Sequence, residues 1–331
     1  SWRWEDWPID GAEERTFHLS GDGSLRPSPG PDAVHRLPYR PSAGAEAGAW
    51  WGELPVDQGP LDEACLVYET DPLPEAVAII GFPRAIFHAS IDAPLAHFFA
   101  RLSDVSPDGQ VTMVTGGGLN GAHRRSAEQP EPLAPGQVEP FQVPMRFTSW
   151  VFPAGHRIRL AVSNHLWPMI WPTPHRMTMS LHASGSELVL PVVPLETREA
   201  PRFEPPRKPA APAQLGTKGD IHPTAWQVDR FEGSAMASWK GEEESRFPWG
   251  SLKSSEYLRF KVADDRPDRA AALGEGDILI TRPGRTLAWQ TRLSLRSDAE
   301  TFRYRFRRTL AENGRLIRER DWTESIPRDF Q

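Results

Sequence analysis

Hydrophobic and polar positions alternate in short runs along most of this chain, and helical spacing is nowhere sustained. Between residues 61 and 195, apolar or alternating runs recur at Ala64–Glu69, Ala76–Ile80, Ala85–Ile91, His97–Ser103, Gln110–Thr115, Gln142–Thr148, Arg157–Ser163, Arg176–His182 and Glu187–Leu190. In Arg157–Ser163 the period of two puts Ile158, Leu160 and Val162 on one face and Arg157, Arg159 and Ser163 on the other. Turn formers separate the runs. In Ser106-Pro107-Asp108-Gly109 the proline presets φ and the glycine closes the turn, and Ala134-Pro135-Gly136 and Pro153-Ala154-Gly155 do similar work. About nine short strands at this spacing predict a β-sandwich of jelly-roll type over residues 54–195.

The flanks differ. Residues 1–53 carry turn formers such as Pro27-Ser28-Pro29-Gly30 and little periodicity, which predicts an N-terminal arm or connector lying over a partner surface. Residues 196–219 hold five prolines among charged and small residues and read as an extended linker. Residues 220–331 return to strand patterning, with a hairpin signal at Asn313-Gly314, where a type I′ turn needs positive φ twice. Phe302, Tyr304 and Phe306 share one face of that hairpin, and Arg303, Arg305 and Arg307 the other. A tight turn pairs Leu310 with Ile317, Arg308 with Glu319 and, unfavourably, Arg307 with Arg320, so a bulge or an acidic partner surface is expected there.

Composition narrows the function classes. The chain has 331 residues, is 39% hydrophobic and 25% charged, and contains 13 Trp, values that exclude disorder as the dominant state. A net charge of -6 offers no general attraction to nucleic acid or anionic membranes. No run approaches the length of a transmembrane helix, and the N-terminus lacks a signal-peptide layout, so neither membrane nor nucleic acid is an expected partner and the expected compartment is the cytoplasm. The single Cys65 forbids an internal disulfide. An opening Ser1-Trp2-Arg3-Trp4 without an initiator methionine predicts part of a longer polypeptide.

A complete catalytic apparatus is not legible. No Gly-x-Ser-x-Gly elbow occurs; Gly21-Asp22-Gly23-Ser24 and Ser184-Gly185-Ser186 sit in turn-like contexts with no helix after them. Cys65 lies in an apolar run and reads as a buried inert thiol. His165, His175 and His182 surround a proline-interrupted segment without metal-ligand spacing, so no metal or cofactor is expected. Gly116-Gly117-Gly118 lacks the lysine and helix of a phosphate loop and reads as a hairpin loop or bulge. Asp104 and Asp108 flank the Pro-Asp-Gly turn and read as turn caps, with calcium coordination as the chemical alternative. The arginines of 303–308 read as a solvated or partner-facing sheet surface.

The segment running from Ser163 to His175 carries two Trp, one Met and three Pro. Proline lowers the entropic cost of holding aromatics in one geometry. His165, Trp167, Trp171 and His175 are therefore the candidate pocket or domain-interface residues, with core capping as the competing role.

Several stretches also resemble a known family. Gly81-Phe82-Pro83, Phe99–Gly109, Val114–Leu119 and Phe152–Leu160, in this order, are similar to the C-terminal non-catalytic β-sandwich of the X-Pro dipeptidyl-peptidase and cocaine-esterase-like (S15, CocE/NonD) serine hydrolases. Phe17–Leu25 is similar to the connector after the catalytic domain in that family, and residues 284–330 look like an extra tail of some members. The resemblance implies an all-β chain, a jelly-roll (galactose-binding-like) sandwich followed by a smaller β-rich C-terminal domain. It implies a partner, an upstream α/β-hydrolase catalytic domain holding a Ser-Asp-His triad, and compatibility with a homo-oligomer. No triad residue can be placed in this chain. For Trp167 and Trp171 it implies a role in shaping the active-site region. The reading from a different class is a carbohydrate- or ligand-binding sandwich with aromatic platforms.

Overall fold

The computed structural model describes residues 7–47, 57–195, 202–205, 207, 217–218 and 225–331. The chain divides into two compact units, residues 1–202 with 330–331, and residues 203–329. Most of the proline-rich stretch at 196–219 lies outside the described residues.

In chain order the first unit contains β1 (Glu13–Leu19), β2 (Leu25–Arg26), β3 (Val34–Pro38), a one-turn helix α1 (Gly59–Asp62), β4 (Leu66–Glu69), β5 (Val77–Gly81), β6 (Arg84–Ile91), β7 (His97–Val105), β8 (Val111–Asn120), β9 (Glu139–Pro144), β10 (Thr148–Phe152), β11 (Arg157–Ser163) and β12 (Thr178–Val193). One sheet runs β10-β5-β12-β1-β2, with β3 and β6 also paired to β12 and β9 to β6. The second runs β4-β11-β7-β8. Between them lies one apolar core that includes Ile79, Phe87, Phe98, Leu102, Phe141, Phe152, Ile158, Leu160 and Met179.

The alternation expected for Arg157–Ser163 is what builds this core, since Ile158, Leu160 and Val162 are fully buried. The strand β7 departs from alternation: all nine residues are buried. Ion pairs cover its outer face, where Asp62 of α1 accepts from Arg101 at 2.5 Å and from Arg159 at 3.1 Å.

Three expectations are corrected. Residues 1–53 do more than lie over a surface, because β1 and β3 both pair antiparallel with β12 inside the sheet, and Phe17 and Leu19 enter the core. Their pattern was weak because these strands are short and broken by turns. The runs at 176–182 and 187–190 form one strand, β12, with an irregularity between His182 and Glu187. Gly185 takes φ +83° there, and Ser186 Oγ donates to His182 O at 2.6 Å and accepts from His88 N at 3.0 Å, so the Ser-Gly-Ser stretch is a built bulge. Gly116-Gly117-Gly118 is neither a loop nor the bulge itself but the middle of β8, paired with Arg101, Ala100 and Phe99. A Cβ on Gly117 would sit 1.9 Å from Pro144 O, so glycine is required by close backbone approach.

The second unit is one antiparallel sheet. It contains β13 (Thr217–Lys218), β14 (Ala225–Phe231), β15 (Ser234–Phe247), β16 (Gly250–Ala263), β17 (Ala271–Arg282), β18 (Arg285–Ser297), β19 (Thr301–Glu312) and β20 (Arg315–Pro327). Its order is β13-β15-β16-β17-β18-β19-β20, with β14 also on β15. Asn313 and Gly314 have φ of +48° and +80°, as the hairpin signal requires.

The expected bulge is present and changes the partners. A register shift at Leu310/Ala311 pairs Leu310 with Arg318, Arg308 with Arg320 and Arg307 with Asp321. The expected pairs Leu310–Ile317 and Arg308–Glu319 do not form. Arg305 instead reaches Asp321 at 2.6 Å and Arg307 reaches Glu319 at 2.8 Å, so acids of β20 neutralise those arginines within the sheet.

Candidate functional site

The loop between β11 and β12 is held from both ends by backbone partners. Asn164 Nδ2 donates to Leu37 O at 3.2 Å, Ser163 Oγ donates to His165 O at 3.1 Å, and Thr173 N donates to the Tyr39 hydroxyl at 3.1 Å. Trp167 is 1% exposed and meets Trp171 edge-on at 5.3 Å. His165 is buried with Nδ1 3.3 Å from Asn164 Oδ1, while Trp171 and His175 are half-buried. The fold thus packs Trp167 against Trp171, with His165 buried earlier on the same loop, which Asn164 ties to Leu37 of β3. It places His175 further along the same loop, before β12.

The histidine nearest to a catalytic arrangement is elsewhere. His156 Nδ1 lies 2.8 Å from Asp104 Oδ1, and Trp150 Nε1 donates to Asp104 Oδ2 at 3.0 Å. A carboxylate orienting an imidazole is two-thirds of a triad, but no hydroxyl or thiol hydrogen-bonds to His156 among the described residues. Asp104 joins β7, β10 and the start of β11, a structural knot. Asp108 accepts from Ser106 Oγ and the Gln110 amide, and the serine hydroxyl first, then the amide, hold its carboxyl below the usual range.

The remaining chemistry candidates are also engaged locally. Ser24 donates to Asp22 rather than to a base, and this hydroxyl contact is the main cause of a carboxyl held far below its ordinary value. Cys65 donates weakly to Leu61 O, and burial pushes its thiol up. His35 Nε2 faces Gly21 O at 3.1 Å, so that nitrogen carries the proton and Nδ1 accepts from the Tyr68 hydroxyl at 2.6 Å. Among the described residues, no group of three or more His, Cys, Asp or Glu could hold a metal ion.

What stands out on the first unit is an exposed aromatic cluster. Trp7, Phe82 and Phe147 are 66%, 61% and 52% exposed. Phe147 meets Trp7 at 6.2 Å and Phe82 at 5.4 Å, both edge-on. The register explains the grouping: Gly81 of β5 pairs with Thr148 of β10, so the residues just beyond, Phe82 and Phe147, leave the sheet side by side. Contiguous exposed aromatics of this kind mark an interaction surface. The sequence signal was Phe82 wedged between Gly81 and Pro83, outside any strand pattern.

Comparison with known proteins follows this geometry. A sequence profile described as the X-Pro dipeptidyl-peptidase C-terminal non-catalytic domain matches residues 2–207. A Mycobacterium bovis protein that bears the name of a serine esterase is 27% identical over 223 residues, 56% of this chain and 35% of that protein. The cocaine esterase of a Rhodococcus species is 29% identical over 186 residues, 50% of this chain and 32% of that enzyme. The chain therefore spans about a third of the length of these curated relatives. A solved α-amino acid ester hydrolase shares the fold with a TM-score of 0.51 at 21% identity, over 58% of this chain and 38% of that one.

Proposed function

Because the chain belongs to the family of X-Pro dipeptidyl-peptidase C-terminal non-catalytic domains, we propose that it serves as the accessory part of an α/β-hydrolase-type serine hydrolase, packing on the catalytic domain and helping to shape its active site. The observation that carries this reading is the Trp7–Phe82–Phe147 cluster, three large aromatics left in water beside a well-filled core. Burying such a cluster against a neighbouring domain removes apolar surface from water and would anchor the contact.

The carbohydrate-binding alternative draws less support. Sugar platforms need flat, exposed, coplanar rings, whereas Trp167 is buried and the exposed cluster is edge-on with interplanar angles of 61° and 70°.

The test is hydrolysis of a p-nitrophenyl ester by this chain alone and by a polypeptide in which the catalytic domain precedes it. We expect turnover only in the longer protein, and a loss of about tenfold or more when Phe82→Ser and Phe147→Ser are introduced there. Turnover by the 331-residue chain alone would sink the proposal.

A further inference from the structure

The two faces of the second unit's sheet differ in a way that neither strand pairing nor solubility requires. One face carries charges that find partners within the sheet. Arg259 reaches Glu275 at 3.0 Å, Arg292 reaches Asp277 at 3.5 Å, Lys253 reaches Glu244 at 3.2 Å, Arg305 reaches Asp321 and Arg307 reaches Glu319. On the other face, cross-strand register aligns apolar rows. One reads Trp226, Trp239, Leu258, Gly274, Leu293, Phe306 and Trp322 from β14 to β20. The next contains Phe260, Ala272, Leu295 and Tyr304. The large side chains of these rows are half-buried. In this unit the fully buried apolar side chains among the described residues are small, such as Ala235, Ala237, Val262 and Ala270.

Charges on this apolar face concentrate on its two flanks, with Arg230 of β14 on the mainly acidic flank and Glu324 of β20 on the mainly basic one. Glu256 on β16 and Glu243 on β15 lie on one flank, and Arg308 on β19 with Arg318 and Arg320 on β20 lie on the other. None of these five makes an ion pair among the described residues, although Glu243 accepts from Ser245 Oγ at 3.1 Å. Glu256, Gly276, Thr291, Arg308 and Arg320 form one row; Glu243, Ser254, Ile278, Trp289, Leu310 and Arg318 form the next.

From this we infer that the apolar face packs against the same face of a second copy of the chain, about a two-fold axis parallel to the strands between β17 and β18. That operation lays β16 over the copy's β19, β15 over its β20, and β17 over its β18. Glu256 then lies opposite the copy's Arg308 and Glu243 opposite its Arg318, while Arg320 falls opposite the copy's Gly241. Sizes match along three rows, whereas in the next row Ile278 falls opposite the copy's Trp289. On this face β17 presents Ala272, Gly274 and Gly276, and the copy's β18 brings Leu295, Leu293 and Thr291 over them. Trp239 faces the copy's Trp322. Glu324, on the arginine flank, falls opposite Ala237 near the rim.

Charge and size complementarity in one operation are what an isologous interface demands, because one patch must serve both partners. Sheets packed face to face at aligned angles bury the inner face of each. Six strands about 4.8 Å apart and roughly 40 Å long present on the order of 1,000 Å² per copy, above the ~800 Å² per partner of a stable interface. This contact is independent of the aromatic cluster on the first unit.

The test is the mass of the full chain in solution by sedimentation equilibrium, for the wild type, Glu256→Arg, Arg308→Glu and the double variant. We expect a dimer that each single reversal weakens at least tenfold in Kd, since the axis places two like-charge contacts in every reversed dimer. Combining both reversals should restore the dimer, a rescue that damage to the fold would not give. A wild type that stays monomeric at about 100 µM would overturn the proposal. So would a dimer indifferent to the single reversals, or a double variant no tighter than the singles.

Discussion

His156 Nδ1 stands 2.8 Å from Asp104 Oδ1, joining two sequence motifs that lie 52 positions apart. The other oxygen of Asp104 takes the Trp150 indole at 3.0 Å, so one buried carboxylate ties β7, β10 and the turn before β11 together. Replacing it with asparagine removes the charge and one acceptor: the amide oxygen can keep the Trp150 indole, but the amide N–H then faces His156, whose Nδ1 must accept instead of donate. Asp104→Asn should therefore cost about 1–3 kcal/mol in urea unfolding, and Trp150→Phe about 1 kcal/mol. Neither change should create or abolish ester turnover. An unaltered unfolding midpoint in Asp104→Asn would show the knot to be dispensable.

Gly117 is predicted to be intolerant of any side chain. Its φ is ordinary, so the penalty comes from Pro144 O, which a Cβ would approach to 1.9 Å. Gly117→Ala should force β8 away from the 144–145 backbone and cost roughly 3 kcal/mol or more. Gly136→Ala, where a Cβ meets no heavy atom within 4 Å but φ is +80°, should cost less, about 1 kcal/mol. Thermal denaturation of the pair separates crowding from backbone strain.

Acid should weaken the first unit through Glu139. Its side chain is 9% exposed and accepts from Arg124 at 2.7 Å and Arg125 at 3.1 Å. The Arg124 hydrogen bond is the main cause of a carboxyl held below its ordinary value. A group lowered in the folded state contributes stability above its unfolded pKa and loses that contribution as pH falls through the folded one. Stability should therefore decline between about pH 5 and 3, and Glu139→Gln should flatten that decline while lowering stability at neutral pH. Equal slopes in the two proteins would remove Glu139 from the account.

Cys65 should be slow to react in the folded protein. Burial pushes its thiol up, and Arg101, 3.7 Å away, is already engaged with Asp62. Alkylation at pH 8 should run at least about tenfold slower in the native chain than in urea, because the thiolate is the nucleophile. Equal rates would show an open thiol.

Alternation alone determined that Ile158, Leu160 and Val162 face inward, because a strand's period of two leaves no other way to bury all three. Turn chemistry determined the Asn313-Gly314 reversal, since positive φ at both positions suits few other pairs. Ordered motifs around Asp104 and His156 pointed to the family. What remained for tertiary structure were relations between distant backbones. Nothing near Gly117 in sequence announces Pro144, nothing near Trp167 announces that Tyr39 and Leu37 bind its loop, and Phe82 and Phe147 become neighbours only through the Gly81–Thr148 register. The β19–β20 bulge is the sharpest case. One extra residue moved Arg307 from Arg320 to Asp321 and set Arg318 and Arg320 on the apolar face beside Arg308. Local pattern fixes which face a side chain takes within its own strand, but the partner it meets depends on register, which long-range pairing sets.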